Sequence, residues 1–135
     1  MTKRLSTDKR TFDEALTALK ALSDPIRLEI LDLLMQGDSC NCELNEKLGL
    51  TSNLLSYHLR LLRRAGLVRS RHDTMDARWV YYSVNRDAVA RWRAWFGAFL
   101  DPARIQERPV LCGPEGQAAD VELRLVLTGF QEDVQ

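Results

Sequence analysis

Residues 40–68 read CNCELNEKLGLTSNLLSYHLRLLRRAGLV, and the punctuation of this stretch decides the fold. Leu44 and Leu48 stand one helical turn apart and mark a short helix over 41–48, which Gly49 closes in a C-terminal cap position. Thr51 or Ser52 then caps a longer helix reaching Ala65, with Leu55, Leu59 and Leu62 on its apolar face and Gly66 at its end. Short helix, glycine turn, longer helix with a polar start is the sequence shape of a helix-turn-helix.

The flanks extend this reading. Upstream, Phe12, Ala15, Leu16, Leu19 and Leu22 form a helical stripe over 11–22. Ser23 or Asp24 offers an N-cap to a second helix that has Pro25 in its first position, carries Ile26, Ile30, Leu31, Leu33 and Leu34, and stops near Gly37. Such apolar stripes are core by default. Downstream, LVRSRH and RWVYYSV are β-prone runs joined by the polar DTMDA, which predicts a hairpin, and a hairpin directly after a helix-turn-helix is a wing. Asn85 caps a fifth helix with Val89, Trp92, Phe96 and Phe99 on one stripe. The fold class is therefore mainly α with a β-hairpin wing, a winged helix-turn-helix of about five helices and a two-stranded wing. Residues 1–100 form this domain, and 101–135 form a C-terminal extension that carries Cys112. Within the extension VELRLVL, residues 121–127, alternates as a strand would and reads equally well as a tail packed on the body.

The chain of 135 residues has a formal net charge of zero, which at first argues against nucleic acid. Its distribution argues the other way. Residues 53–100 carry nine basic side chains, all arginine, against three acids, while 1–52 net −2 and 101–135 net −4. A phosphate backbone responds to local charge, and arginine binds phosphate and guanine bidentately. At the start of the fourth helix Ser52, Asn53, Ser56 and Tyr57, followed by His58 and Arg60, are placed to read base edges. Arg63, Arg64, Arg69 and Arg71, with Arg78 on the wing, are placed to meet phosphates. Each arginine alone is ordinary solvated surface, and His58 alone is weak; together with the wing they point to double-stranded DNA. No apolar run spans a membrane and the N-terminus lacks a signal h-region, so the expected location is the cytoplasm, where thiols stay reduced.

Two of the three cysteines, Cys40 and Cys42, flank a single asparagine at a predicted helix N-terminus, where the macrodipole favours thiolate. Burial as a small apolar residue, the default for free cysteine, is the weaker reading here. An i, i+2 pair points to opposite sides of a helix or a strand. Both sulfurs reach one ion, at roughly 2.3 Å for a zinc-like centre, only where the backbone leaves ideal helix. Ion binding would thus distort the first turn of the third helix and couple to DNA geometry. An enzyme, such as a thiol transferase, is disfavoured: no general-base histidine stands in a constellation, and CxC lacks CxxC spacing. A winged-helix interaction module without DNA binding is disfavoured by the arginine-rich middle.

LSDPIRLEILDLL, the 40–68 stretch with its CxC-E-L element and SYHLRLLRRAGLV, and the R-x-V-Y-Y of the wing together resemble the ArsR/SmtB family over about Leu19 to Leu100. The resemblance implies a homodimeric winged-helix transcriptional repressor that senses metals or metalloids. It implies a dimer interface of first and last helices, here Leu16, Leu19, Val89, Trp92, Phe96 and Phe99; periodicity alone fits intramolecular core equally. Arsenic- or antimony-sensing members pair a CxC with a third thiolate one turn on, but that position is Asn45, and the remaining sulfur is Cys112. The expected inducer site is Cys40, Cys42 and Cys112, taking arsenic(III) or antimony(III), with the third sulfur from either protomer and no ion needed for folding. Of the last-helix zinc set only Asp87 survives, with Val89, Leu100 and Ala103 in the other places. The alternatives are cadmium, lead or zinc at the thiolates, or a redox or persulfide response through Cys42 and Cys112.

Overall fold

The computed structural model describes residues 5–107 and 110–114. They divide into two units between Leu100 and Asp101. The first unit runs α1 (Lys9–Leu22), α2 (Pro25–Met35), β1 (Ser39–Cys40), α3 (Asn41–Leu48), α4 (Ser52–Arg64), β2 (Val68–His72), β3 (Val80–Val84) and α5 (Arg86–Phe99). The described part of the second holds a short 3-10 turn, Pro102–Arg104. Residues 121–127 lie outside the described residues.

Each helix of the first unit starts at a side chain that can accept an orphan N–H. Asp8 accepts from Thr11, Asp24 from Ile26 and Arg27, Thr51 from Leu54, and Asn85 from Ala88. Asp24 and Thr51 are thus the caps, rather than Ser23 and Ser52. Ser23 closes α1 instead, its hydroxyl donating to the Leu19 carbonyl at 2.9 Å. Gly49, at φ 63°, ends α3 in the left-handed region, a conformation a Cβ penalises.

The wing has one strand more than expected. Antiparallel β2 and β3 pair from Val68↔Val84 to His72↔Val80, and the two-residue β1 adds to the other edge of β3 through Ser39↔Tyr82 and Cys40↔Tyr81. The sheet order is β1-β3-β2. Ser39 and Cys40 carry no alternation, because a two-residue strand exists only through its long-range partner.

Ile30, Leu44, Leu55, Leu59 and Leu62 form the fully buried centre, joining α2, α3 and α4. The α1 stripe divides. Thr11, Ala15, Ala18 and Ala21 face inward, while Phe12, Leu16 and Leu19, one residue or about 100° round the helix, stay 40–48% exposed. On α5 the stripe divides too. Trp92 is 7% exposed and belongs to the protomer's own core, which corrects its expected place in a dimer interface. Val89, Phe96 and Phe99 are half-buried.

Candidate nucleic-acid interface and cysteine site

Helix α4 carries the two faces its sequence implies. Leu55, His58, Leu59 and Leu62 are buried; Ser52, Asn53, Ser56, Tyr57, Arg60, Arg63 and Arg64 are exposed. Leu54 is also exposed at the start of the helix, an apolar group suited to a thymine methyl that polarity-based reading passed over. Asn45 of α3 donates to the Ser52 hydroxyl at 3.4 Å, tying the two helices across their turn.

His58 does not lie on the exposed face of α4. It is 5% exposed, and Arg27 Nη1 donates to its Nδ1 at 3.1 Å, which places the neutral ring's hydrogen on Nε2. The same guanidinium donates from Nε to the Ala21 carbonyl at 2.6 Å and from Nη2 to the Lys20 carbonyl at 3.3 Å. Arg27 therefore closes the end of α1 and anchors α4 through one side chain. Asp24 lies 3.9 Å from His58 Nδ1. Burial is the largest influence on its carboxyl and pushes it up, but the Arg27 and Ile26 backbone N–H groups and the Arg27 charge carry it below its ordinary value. A helical offset explains the correction: position 58 is three past Leu55 and four before Leu62, on the core face.

Behind the exposed face of α4, Arg60, Arg63, Arg64, Val68, Arg69 and Ser70 line an open concavity of about 610 Å³ between helix and wing. Four guanidiniums around one concavity make a positive surface, of the kind that attracts phosphate groups. Arg60 lies over the Tyr57 ring at 5.7 Å, and Arg71 over the Tyr81 ring at 4.5 Å. At the wing tip Arg78 is already engaged: Asp76 takes its Nε at 3.0 Å and Nη2 at 2.8 Å. The Arg78 hydrogen bonds hold the Asp76 carboxyl below its usual range and raise the guanidinium in return. A phosphate at Arg78 must share it with that carboxylate.

The two cysteines occupy different elements. Cys40 ends β1 and is the N-cap of α3 (φ −80°, ψ 162°); its Sγ accepts the Glu43 backbone N–H at 3.4 Å. Cys42 lies inside the first turn and is exposed, as is Cys112 in the second unit. Cys40 itself is buried, so the default set aside at first does hold for this one sulfur. The strand-to-helix break between the pair is built into the fold, so the backbone between the two sulfurs already departs from ideal helix. Two sulfurs still fall short of a trithiolate, and among the described residues no group of three or more His, Cys, Asp or Glu side chains could hold a metal ion.

Phe12, Ala15, Leu16 and Leu19 of α1 and Trp95, Phe96, Phe99 and Leu100 at α5 line an apolar groove of about 340 Å³. Trp95 stacks on Phe99 at 4.9 Å, and Phe12 meets both edge-on. Phe12, Trp95 and Leu100 enlarge the surface expected from Leu16, Leu19, Phe96 and Phe99.

Residues 24–70 match the family model described as bacterial regulatory protein, arsR family. Nodulation protein NolR of Rhizobium meliloti is 41% identical over 95 residues, 69% of this chain and 75% of NolR. The chain belongs to the ArsR family of bacterial regulatory proteins. The family is one of DNA-binding transcription regulators, not of enzymes. The arsenical resistance operon repressor of Staphylococcus xylosus is 46% identical over 63 residues, 47% of this chain and 61% of the repressor, so the match spans less than two thirds of that relative. The homodimeric winged helix-turn-helix DNA-binding domain of a possible ArsR-family regulator from Mycobacterium bovis superposes with a TM-score of 0.57 at 28% identity, covering 76% of this chain and 93% of that domain. The ArsR fold thus accounts for α1–α5 and the wing. Among the described residues no helix is long and apolar enough to cross a membrane.

Proposed function

We propose that this ArsR-family regulator is a repressor that binds operator DNA as a homodimer and lets go when arsenic(III) or antimony(III) is captured by its thiolates. The observation that carries the reading is the position of Cys40, at once the last residue of a wing-sheet strand and the N-cap of the first helix of the helix-turn-helix. A ligand there touches both DNA-contacting elements. Cys42 supplies the second sulfur, and Cys112, from the same chain or from the partner, supplies the third. Capture from arsenous acid forms one As–S bond per thiol, and each thiol proton leaves with an As hydroxyl as water. The Glu43 N–H that Cys40 Sγ accepts is then released, loosening the first turn of α3. In the DNA-bound state Ser52, Asn53, Ser56 and Tyr57 read bases while Arg60, Arg63, Arg64 and Arg71 meet phosphates. The exposed Leu16 and Leu19 with Phe96 and Phe99 make the dimer surface, and the Mycobacterium bovis homodimer supports that assignment.

A second reading keeps the fold and changes the signal. Cys42 and Cys112 are both exposed, as a persulfide or disulfide response requires. Cadmium, lead or zinc at the thiolates is the third possibility. The test uses the reduced 135-residue chain and duplexes selected from a random pool, with arsenite, cadmium, zinc or a persulfide donor added in turn. Release by arsenite is expected. Release by the persulfide donor alone would transfer the assignment to the second reading, and indifference to every addition would end the sensor reading.

A further inference from the structure

We propose that Tyr81 is a positioning residue that aims Arg71 at the DNA backbone and ties that aim to the chemistry of Cys40. The link to Cys40 rests on the sensor reading above; the aim of Arg71 does not.

The observation is a row across the sheet. With strand order β1-β3-β2, Tyr81 is the register partner of Cys40 on one side and of Arg71 on the other. Directly opposed residues of antiparallel strands share one face, with Cβ atoms about 4.5–5.5 Å apart. Thiol, phenol and guanidinium therefore stand in line on the same face of the wing. Burial falls along the row, from buried Cys40 through half-buried Tyr81 to exposed Arg71. The outer end is held by the ring: Arg71 Cζ lies 4.5 Å from the Tyr81 centroid. Among the described residues Arg71 makes no ion pair, in contrast to Arg78, which Asp76 occupies. Its charge is thus oriented by an aromatic face and left available to a phosphate. The inner end is the movable one. A two-residue strand rests on few ladder bonds, and Cys40 terminates it while capping α3. Drawing Cys40 Sγ toward a ligand pulls on the strand residue that pairs with Tyr81, and the ring carries the shift to Arg71.

The test measures affinity of the reduced 135-residue chain for duplex DNA against salt concentration. Wild type is compared with Tyr81→Phe, Tyr81→Leu, Arg71→Gln and the Tyr81→Leu/Arg71→Gln double variant. Arg71→Gln is expected to lower the salt slope by about 0.9 per protomer, the loss of a phosphate contact. Tyr81→Leu is expected to weaken binding about two- to fivefold, Tyr81→Phe to bind as wild type, and the double variant to match Arg71→Gln. An unchanged slope in Arg71→Gln overturns the proposal, and because that side chain is exposed the result does not depend on folding. Equal losses in Tyr81→Phe and Tyr81→Leu, or additive losses in the double variant, overturn it as well. In a second arm arsenite is added: a smaller fold-release in Arg71→Gln than in wild type supports the Cys40 link, and an equal one removes it. A wild type that ignores arsenite rejects the sensor reading instead, with the first arm still deciding Tyr81.

Discussion

Cys40 and Cys42 differ in what surrounds them, and their variants should differ accordingly. Serine is among the best N-cap residues, so Cys40→Ser keeps the acceptor for the Glu43 N–H; its melting temperature is expected to equal that of wild type while arsenite no longer releases DNA. Cys42→Ser, on the exposed first turn of α3, should behave alike in both measurements. A response that survives Cys42→Ser would locate the inducer elsewhere. Asp24 offers a pH test. Its folded-state carboxyl titrates below the ordinary 3.8, so its contribution to stability is present above that pH and is lost as pH falls through the folded value. Asp24→Asn should flatten the acid limb of stability below about pH 4, measured by denaturant unfolding across pH; an unchanged acid limb would remove Asp24 from the account. The neighbouring His58 shows the limit of residue-by-residue reading. Its type and place among polar residues put it with the DNA readers, whereas its offset from Leu55 and Leu62 puts it on the core face, where Arg27, thirty-one residues earlier, partners it.

At the scale of elements, helix α4 combines a cap, a core face and an exposed face, and variants can test each by itself. Thr51 caps it by accepting the Leu54 N–H at 3.2 Å. Thr51→Ala should cost about 1 kcal/mol of stability, read from urea denaturation, with the same sequence preference for DNA. On the exposed face the roles divide by chemistry. Arg63→Ala is expected to weaken every duplex alike and flatten the salt slope, whereas Asn53→Ala should relax preference at one position by about 1–3 kcal/mol. Binding competition against a randomised duplex pool distinguishes the two, and a uniform loss in Asn53→Ala would argue against base reading there. The helices were legible because their signals are local: Asp24-Pro25 before α2, Gly49 after α3, Asn85 before α5. Strand β1 was not, since Ser39 and Cys40 become a strand only by meeting Tyr82 and Tyr81.

For the whole molecule, the apolar groove between α1 and α5 is the surface that an isolated protomer leaves uncovered. Phe12, Leu16 and Leu19 are 40–48% exposed and Leu100 is 72% exposed, beside the stacked Trp95 and Phe99. Contiguous apolar surface of this kind marks an association site. The double variant Leu16→Glu/Leu19→Glu should fold, since the inward alanines of α1 are untouched, and should sediment as a monomer. Its DNA affinity should fall at least tenfold, because two linked half-sites become one. A dimer that persists in sedimentation would place the interface elsewhere.

Helix order, the helix-turn-helix with its wing, the basic middle and the candidate thiol pair are all legible in the residues themselves. Each of these follows from periodicity, caps, turn residues or side-chain chemistry within a few positions. The tertiary structure decided what depends on distant partners. It turned His58 and Trp92 inward and Phe12 and Leu16 outward, and it split Cys40 from Cys42 across a strand-to-helix break. It also set Cys40, Tyr81 and Arg71 in one row. A helical stripe says that a face is apolar without saying what covers it, and a strand of two residues is made by its neighbour rather than by its own side chains.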